Sequence, residues 1–148
     1  MQSFNNDKTK QEYVQRINQL TASSKPLWGK MNVQQMLNHL NDFFMMATEK
    51  KIKKDGAWVK AIAKLMGGIA KNRIIYSKRS FPKNLGNAPL PLSGNFDQEK
   101  YNLISSIMQY SERDFSKESL SIFGSMKPAD WDNMLVRQFN HHLSQFGV

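Results

Sequence analysis

The apolar residues of this chain recur every three or four positions, and this α-helical spacing most constrains its fold. The clearest run follows Asn32, with apolar residues at Val33, Met36, Leu37, Leu40, Phe44 and Ala47. Asn32 is a favourable N-cap, and Gln35 three residues later completes a capping-box pattern. No alternating pattern typical of strands interrupts the helical segments. The sequence therefore predicts an all-α fold.

The same periodicity predicts four further helices. The first runs from about Thr9 to Leu20, and the third from about Ala57 to Ala70. A fourth follows Asp97, and the fifth begins near Pro128 and ends at Gly147. The inward positions predicted for the fourth helix are Tyr101, Ile104, Ile107 and Met108. Those predicted for the fifth are Trp131, Met134, Leu135, Phe139, Leu143 and Phe146.

Two connections separate these helices. Residues 80–95 contain three of the five prolines and two glycines, so we expect a long ordered loop or crossover there. Residues 112–127 are predicted to form a second loop. At 148 residues the chain has the size of one domain, spanning residues 1–148. We expect a bundle of four main antiparallel helices with an additional short helix and a long proline-rich connection.

The formal net charge of +9 comes from one segment. Residues 50–83 hold 11 of the 21 Lys and Arg residues and a single acid, whereas the rest of the chain has 10 basic and 11 acidic residues. A solvated basic face and a contact for phosphate or anionic lipid both stay open. Only two of the 11 are arginine, and no known nucleic-acid-binding signature accompanies them, so we expect no specific nucleic-acid partner.

The chain has no cysteine. This excludes disulfides, Cys-ligated zinc, iron–sulfur clusters and thiol nucleophiles. The first seven residues lack the apolar core of a secretory signal, and no apolar run approaches the roughly 18 residues of a membrane-spanning helix. We therefore expect a cytoplasmic protein without a transmembrane segment.

Two polar residues fall on the apolar face of the last helix. At about 100° per residue from Trp131, Gln138 lies near 340° and His142 near 20°. A buried polar group without a partner costs about 1–3 kcal/mol, so both need a hydrogen bond or a metal ion. His39, at the border of the apolar stripe of the second helix, is the natural third member. Spacing alone leaves open a metal site and a core histidine bonded to a neighbouring helix.

Three blocks of sequence carry a family resemblance. Residues 28–39 are WGKMNVQQMLNH, residues 123–131 are FGSMKPADW, and residues 141–148 are HHLSQFGV. In this order they resemble the DinB-like (YfiT-like) helical-bundle superfamily and, within it, a bacterial family of unknown function. That family has the pattern "WGKM…QML.H", then "FG.LTPEEW" and a final "HHLRQFG". Together with the helix order, the resemblance covers nearly the whole chain.

The resemblance implies a four-helix bundle whose interior holds a divalent metal, zinc or nickel, through three histidines. One comes from the second helix and two from an H-x-x-x-H on the last. His39 and His142 match the first and final ligands, whereas Gln138 stands where the family has the middle histidine. The implied metal residues are therefore His39, Gln138 and His142. Superfamily members with all three histidines include thiol-dependent transferases and isomerases, in which such a metal lowers the pKa of a bound thiol or water.

Two functions stay open. The first is a metal-dependent transferase or hydrolase relative with a degenerate His/Gln/His site, because glutamine binds zinc or nickel more weakly than imidazole. The second is a non-catalytic small-ligand-binding or stress-associated protein that has lost the metal. In the second case Gln138 hydrogen-bonds His142 or His39. A small molecule in the bundle interior and a homodimer fit either function.

Overall fold

The computed structural model describes residues 2–48, 94–111, 119–121 and 124–148. Within these residues the chain forms helices α1 (Asp7–Asn18), α2 (Val33–Ala47), α3 (Phe96–Gln109) and α4 (Pro128–Gln145). The helical fold class is thus confirmed for the described part of the chain. No helix in that part is long and apolar enough to cross a membrane.

Several sequence predictions lie outside the described residues. They are the third predicted helix at residues 57–70, the basic segment 50–83, and the proline-rich connection 80–95 except for its last two residues. Those two residues, Gly94 and Asn95, lead into α3, where the Asn95 side chain accepts a hydrogen bond from the Gln98 N–H. An asparagine N-cap therefore sets the start of α3.

The prediction of a loop across residues 112–127 was wrong for two three-residue segments. Strands β1 (Ser119–Ser121) and β2 (Gly124–Met126) pair antiparallel, with Leu120 opposite Ser125. Such short segments are hard to recognise in a sequence, because three residues cannot establish an alternating pattern. β2 leads directly into α4 and packs against it.

Local sequence signals set the ends of α2 and α4 as predicted. The Asn32 and Gln35 side chains each accept a hydrogen bond from the backbone N–H of the other, at 2.8 and 2.9 Å, so the capping box is formed. Pro128 is the first residue of α4, where its missing N–H costs no hydrogen bond. After α4, Gly147 takes φ +77° and the Val148 N–H donates to the Leu143 carbonyl, which is a Schellman ending.

Side-chain contacts fix the direction of α3 relative to its two neighbours. Lys100, near the start of α3, donates to the Asn18 carbonyl at the end of α1, while Lys10 donates to the Tyr110 carbonyl just after α3. α1 and α3 are therefore antiparallel. Asn41, in the second half of α2, donates to the Glu99 carbonyl, and Gln34 at the start of α2 donates to the carbonyl of Gly94. α2 and α3 are therefore parallel.

Contacts with α4 complete the helix order. The Phe4 N–H donates to Asp132 near the start of α4, and Arg16 donates to Asn140 two turns later, so α1 and α4 are parallel. α2 packs antiparallel to α4, because His39 contacts the end of α4 and the Phe43 ring contacts Trp131 near its start. The order is up, down, down, up. The prediction that the main helices are antiparallel was wrong for two neighbouring pairs, α1 with α4 and α2 with α3. The chain between α2 and α3 is long enough to cross over, so that both helices run in the same direction.

Within the described residues, one apolar core lies between the four helices. All the apolar positions predicted for the second and last helices are buried. The largest fully buried side chains come from all four helices and their flanks: Phe4, Tyr13, Ile17, Leu20, Met36, Leu37, Leu40, Phe44, Leu103, Ile107 and Phe139. The core thus places α2 and α4 face to face, which positions the polar residues described below.

The inward face predicted for α3 was only partly right. Ile107 is buried, but Tyr101 is 69% exposed and Met108 is 54% exposed. α3 packs against α1 and α2 together, and this turns Leu103 and Ile107 toward the core. Lys100, next to Tyr101, donates to the Leu20 carbonyl just after α1. The apolar stripe through Tyr101 and Met108 therefore faces outward.

Candidate functional site

The structure brings all three histidines of the chain together. His142, on α4, is only 5% exposed, and its ring lies edge-to-face against the half-buried His39 on α2, with ring centroids 4.7 Å apart. The His141 ring also contacts His142, with ring centroids 4.8 Å apart. We call these three residues the histidine cluster. The cluster lies between the antiparallel helices α2 and α4.

Of the three residues that the sequence placed at a metal site, the structure joins two directly. His39 and His142 are in ring contact, as expected. Gln138 lies one turn before His142 on α4 but is half-buried, so it reaches the edge of the core and not its centre. Within the described residues the Gln138 side chain has no hydrogen bond to either histidine.

The amide that contacts His142 belongs to Gln145, which the sequence analysis missed. Gln145 is 3% exposed, and its Oε1 lies 3.1 Å from His142 Nδ1. Its Nε2 donates to the Trp28 carbonyl at 2.7 Å. The signal was present in the sequence, because Gln145 falls near 320° from Trp131 at about 100° per residue and so lies on the same apolar face.

Backbone hydrogen bonding fixes which ring nitrogen of His142 carries the proton. The Trp28 carbonyl can only accept, so the NH₂ group of Gln145 must face it and the amide oxygen must face His142. An amide oxygen can only accept, so Nδ1 of His142 must be the N–H donor. In the neutral ring, Nε2 then carries a lone pair.

Burial keeps that ring neutral. The pKa of His142 lies well below the usual value of a histidine, chiefly because burial opposes the charged form and also because His39 and His141 lie close by. The hydrogen bond to Gln145 acts in the opposite direction but does not offset these effects. Burial, together with the nearby Arg137, also lowers the pKa of His141. His142 therefore offers an unprotonated nitrogen at neutral pH.

Aromatic rings flank the histidine cluster. The Trp28 ring lies 6.4 Å from His141, and Phe43 lies 6.4 Å from His39 and 6.3 Å from Trp131. The hydrogen bonds of Gln145 join two segments here that are far apart in the sequence, residues 27–29 and the end of α4. Part of the surroundings is thus apolar, which strengthens electrostatic interactions on that side of the cluster.

The carboxylates near the start of α4 have structural hydrogen bonds. Asp130 accepts from the Lys127 N–H at 2.8 Å, and Asp132 accepts from the Phe4 N–H at 2.8 Å. Among the described residues, no three or more histidine and acidic side chains converge as a metal-binding group. His39, His141 and His142 are therefore in ring contact without the arrangement of a three-ligand metal site.

A known protein family matches this chain over nearly its whole length. A family model described as a protein of unknown function (DUF1569) matches residues 4–147. The chain belongs to the DUF1569 family. No curated protein and no solved structure matches it. In this DUF1569 protein, the matched region contains the whole histidine cluster, Gln145 and residues 27–29.

Proposed function

We propose that this DUF1569 protein binds a divalent metal ion, zinc or nickel, at the histidine cluster. His39 and His142 are the imidazole ligands in this proposal, and Gln138 supplies a weaker third ligand through its amide oxygen. The observation that carries the proposal is His142 itself, which is buried, hydrogen-bonded through Nδ1 and in ring contact with a second imidazole, so that Nε2 is left as the ligand atom. Histidine ligands of metals commonly have their other ring nitrogen held in this way.

The donor set fits a divalent metal, although not a tight site. Neutral imidazole suits zinc and nickel, and two such rings from facing helices lie in contact. An amide oxygen is a weaker donor for these ions. Gln138 lies one turn before His142 on the same helix and is half-buried, which puts its amide on the side of α4 that carries His142. We therefore expect a weaker affinity than three histidines would give.

A metal held here would supply Lewis-acid chemistry, lowering the pKa of a bound water or thiol. The protein's own part is to present unprotonated nitrogen in an apolar environment between α2 and α4. These features support a metal-dependent transferase or hydrolase relative. The four helices around one core, together with the sequence blocks at residues 28–39 and 141–148, support the further proposal that the fold is a DinB-like bundle.

Metal analysis of the untagged protein tests the proposal. After reconstitution with zinc or nickel and removal of excess ion, we expect about one equivalent per chain, and less than about 0.2 equivalents would contradict the proposal. His142→Ala and His39→Ala should each lower the metal content strongly. His141→Ala is the matched control, because it removes the remaining histidine without removing a proposed ligand.

A second candidate function is a metal-free binding site for a small molecule in the bundle interior. It is favoured by Gln138, which replaces an imidazole, and by the finding that no three histidine or acidic side chains among the described residues converge as a metal-binding group. Gln138→His separates the two candidates. If the parent binds no metal and Gln138→His does, the second candidate stands. If the parent binds metal and Gln138→His binds it more tightly, the first stands.

A further inference from the structure

Gln145 forms hydrogen bonds through its side chain and its backbone carbonyl, both within α4 and to the segment at residues 27–28. Its side-chain oxygen faces His142 Nδ1, its side-chain nitrogen donates to the Trp28 carbonyl, and its backbone carbonyl accepts from the Leu27 N–H at 2.7 Å. The residue is buried, so water does not compete for these bonds. The end of α4 is thereby attached to the segment that precedes α2.

We propose that Gln145 is a positioning residue that holds His142 with its proton on Nδ1 and its lone pair on Nε2. The Trp28 carbonyl holds Gln145 in turn, because it accepts only from the amide NH₂ and so prevents the amide from rotating. The tautomer of His142 is thus set from outside α4, by the backbone of residues 27–29. A leucine or alanine at position 145 would leave the ring free to carry its proton on either nitrogen.

Gly29 shows that the backbone here is shaped around this amide. Its φ is +82°, a conformation that residues with a side chain rarely adopt. A Cβ placed on Gly29 would overlap the Nε2 atom of Gln145. Any larger residue would therefore push the amide away from Trp28 and from His142. The glycine gives a way to disturb the amide without changing α4.

The effect of Gln145 on metal binding rests on the proposed function, whereas its effect on the His142 tautomer does not. Nε2 is the nitrogen that a metal would use, since Nδ1 is occupied by Gln145. In metal-free protein the tautomer is a property of the hydrogen bonds alone. A protein that binds no metal but keeps the Nδ1–H form would contradict the proposed function and leave the role of Gln145 intact.

The test is ¹⁵N NMR of the histidine rings in metal-free, ¹⁵N-histidine-labelled protein at neutral pH. Multiple-bond ¹H–¹⁵N spectra distinguish protonated from unprotonated ring nitrogens, and loss of signals in His142→Gln assigns His142. We expect the parent to show protonated Nδ1 and unprotonated Nε2. Gln145→Leu should give a ring with substantial Nε2–H population.

Two further variants separate positioning from general disturbance of the fold. Gln138→Leu is the matched control, because it removes the other amide on the apolar face of α4. It should leave the His142 tautomer unchanged. Gly29→Ala should shift the tautomer as Gln145→Leu does, although it leaves α4 intact. An Nε2–H form in the parent, or an unchanged tautomer in both folded Gln145→Leu and Gly29→Ala, would overturn the proposal.

Discussion

His142 stays neutral inside the protein because three features of its surroundings oppose a positive charge. Burial removes the water that would solvate an imidazolium, and His39 and His141 both lie in ring contact with it. Gln145 partly offsets these effects by accepting from Nδ1. The residue therefore combines a low pKa with a fixed tautomer, which is the state needed for metal binding or for accepting a proton.

The lowered pKa of His142 predicts that the protein loses stability in mild acid. The unfolded chain takes up a proton below about pH 6.5 and the folded chain does not, so protonation favours unfolding. The free energy of unfolding should fall as pH decreases from about 6.5, by up to about 1.4 kcal/mol per pH unit for one such histidine. Urea denaturation of metal-free protein at pH 7.5, about 6 and about 5.5 would measure the slope.

The control for this pH dependence is His142→Gln, which keeps a polar side chain but cannot titrate. The slope should be smaller in this variant, while His141→Gln should change it less because His141 is less buried. Equal slopes in the parent and in His142→Gln would contradict the assignment of a neutral buried His142.

Removing the amide of Gln145 should weaken metal binding without removing a ligand. Loss of a group that orients a ligating histidine typically costs about 10- to 100-fold in affinity, and we expect this range for Gln145→Leu with zinc. Ser144→Ala is the control, because Ser144 is the exposed neighbour on the same turn. Competition with a zinc chelator gives both affinities. Equal affinity in the parent and in Gln145→Leu would contradict the prediction.

At the residue scale the sequence placed His39 and His142 close together, as the structure has them, but it missed the side chain that hydrogen-bonds His142. Helical spacing was enough to place His142 inward and His39 near it. It could not show that Gln145 forms the hydrogen bond, because that depends on the Trp28 carbonyl, which comes from a distant segment. Angular position also overestimated the burial of Gln138, since it does not include how closely α2 and α4 approach.

Phe4 connects the elements, although it precedes the first helix. It is fully buried, stacks on Tyr13 at 5.0 Å and contacts the rings of Phe44, Tyr110 and Phe139 from the other three helices or their flanks. Its N–H also donates to Asp132 on α4. The residues before α1 are therefore part of the core, a role that an isolated phenylalanine outside any periodic segment does not reveal.

Phe4→Ala should destabilise the protein strongly. Truncation of a fully buried phenylalanine typically costs about 3–5 kcal/mol, because it removes buried apolar surface and leaves a cavity. Leu27→Ala is the matched control, since Leu27 is 70% exposed and should change stability by less than about 0.5 kcal/mol. Urea denaturation at pH 7.5 measures both. A change below about 1 kcal/mol for Phe4→Ala would mean that this end of the chain is not packed as described.

Sequence patterns were most reliable where local interactions decide the structure. The Asn32–Gln35 capping box, Pro128 at the start of α4 and Gly147 after its end all formed as expected. Sequence patterns failed where packing between helices decides which side of a helix is buried, as for Tyr101 and Met108. α3 contacts two helices at once, and its amphipathic pattern does not tell which apolar stripe those neighbours cover.

For the whole molecule, the up-down-down-up order determines where a site can form. α2 and α4 are antiparallel neighbours, so the end of α4 meets the first half of α2 and brings His142 to His39. The sequence predicted the bundle but not this order, because helix direction follows from long-range contacts such as Phe4–Asp132 and Asn41–Glu99. The predictions of a homodimer and of an anionic partner for residues 50–83 stay predictions.

A zinc titration followed through the histidine ring ¹⁵N resonances tests the central claim most directly. As zinc is added at neutral pH, we expect the Nε2 resonance of His142 and one ring nitrogen of His39 to shift together and to saturate at about one ion per chain. The His142 Nδ1 proton should remain, because Gln145 still accepts it. Absence of any shift, or shifts confined to His141, would contradict the claim that His39 and His142 form a metal site.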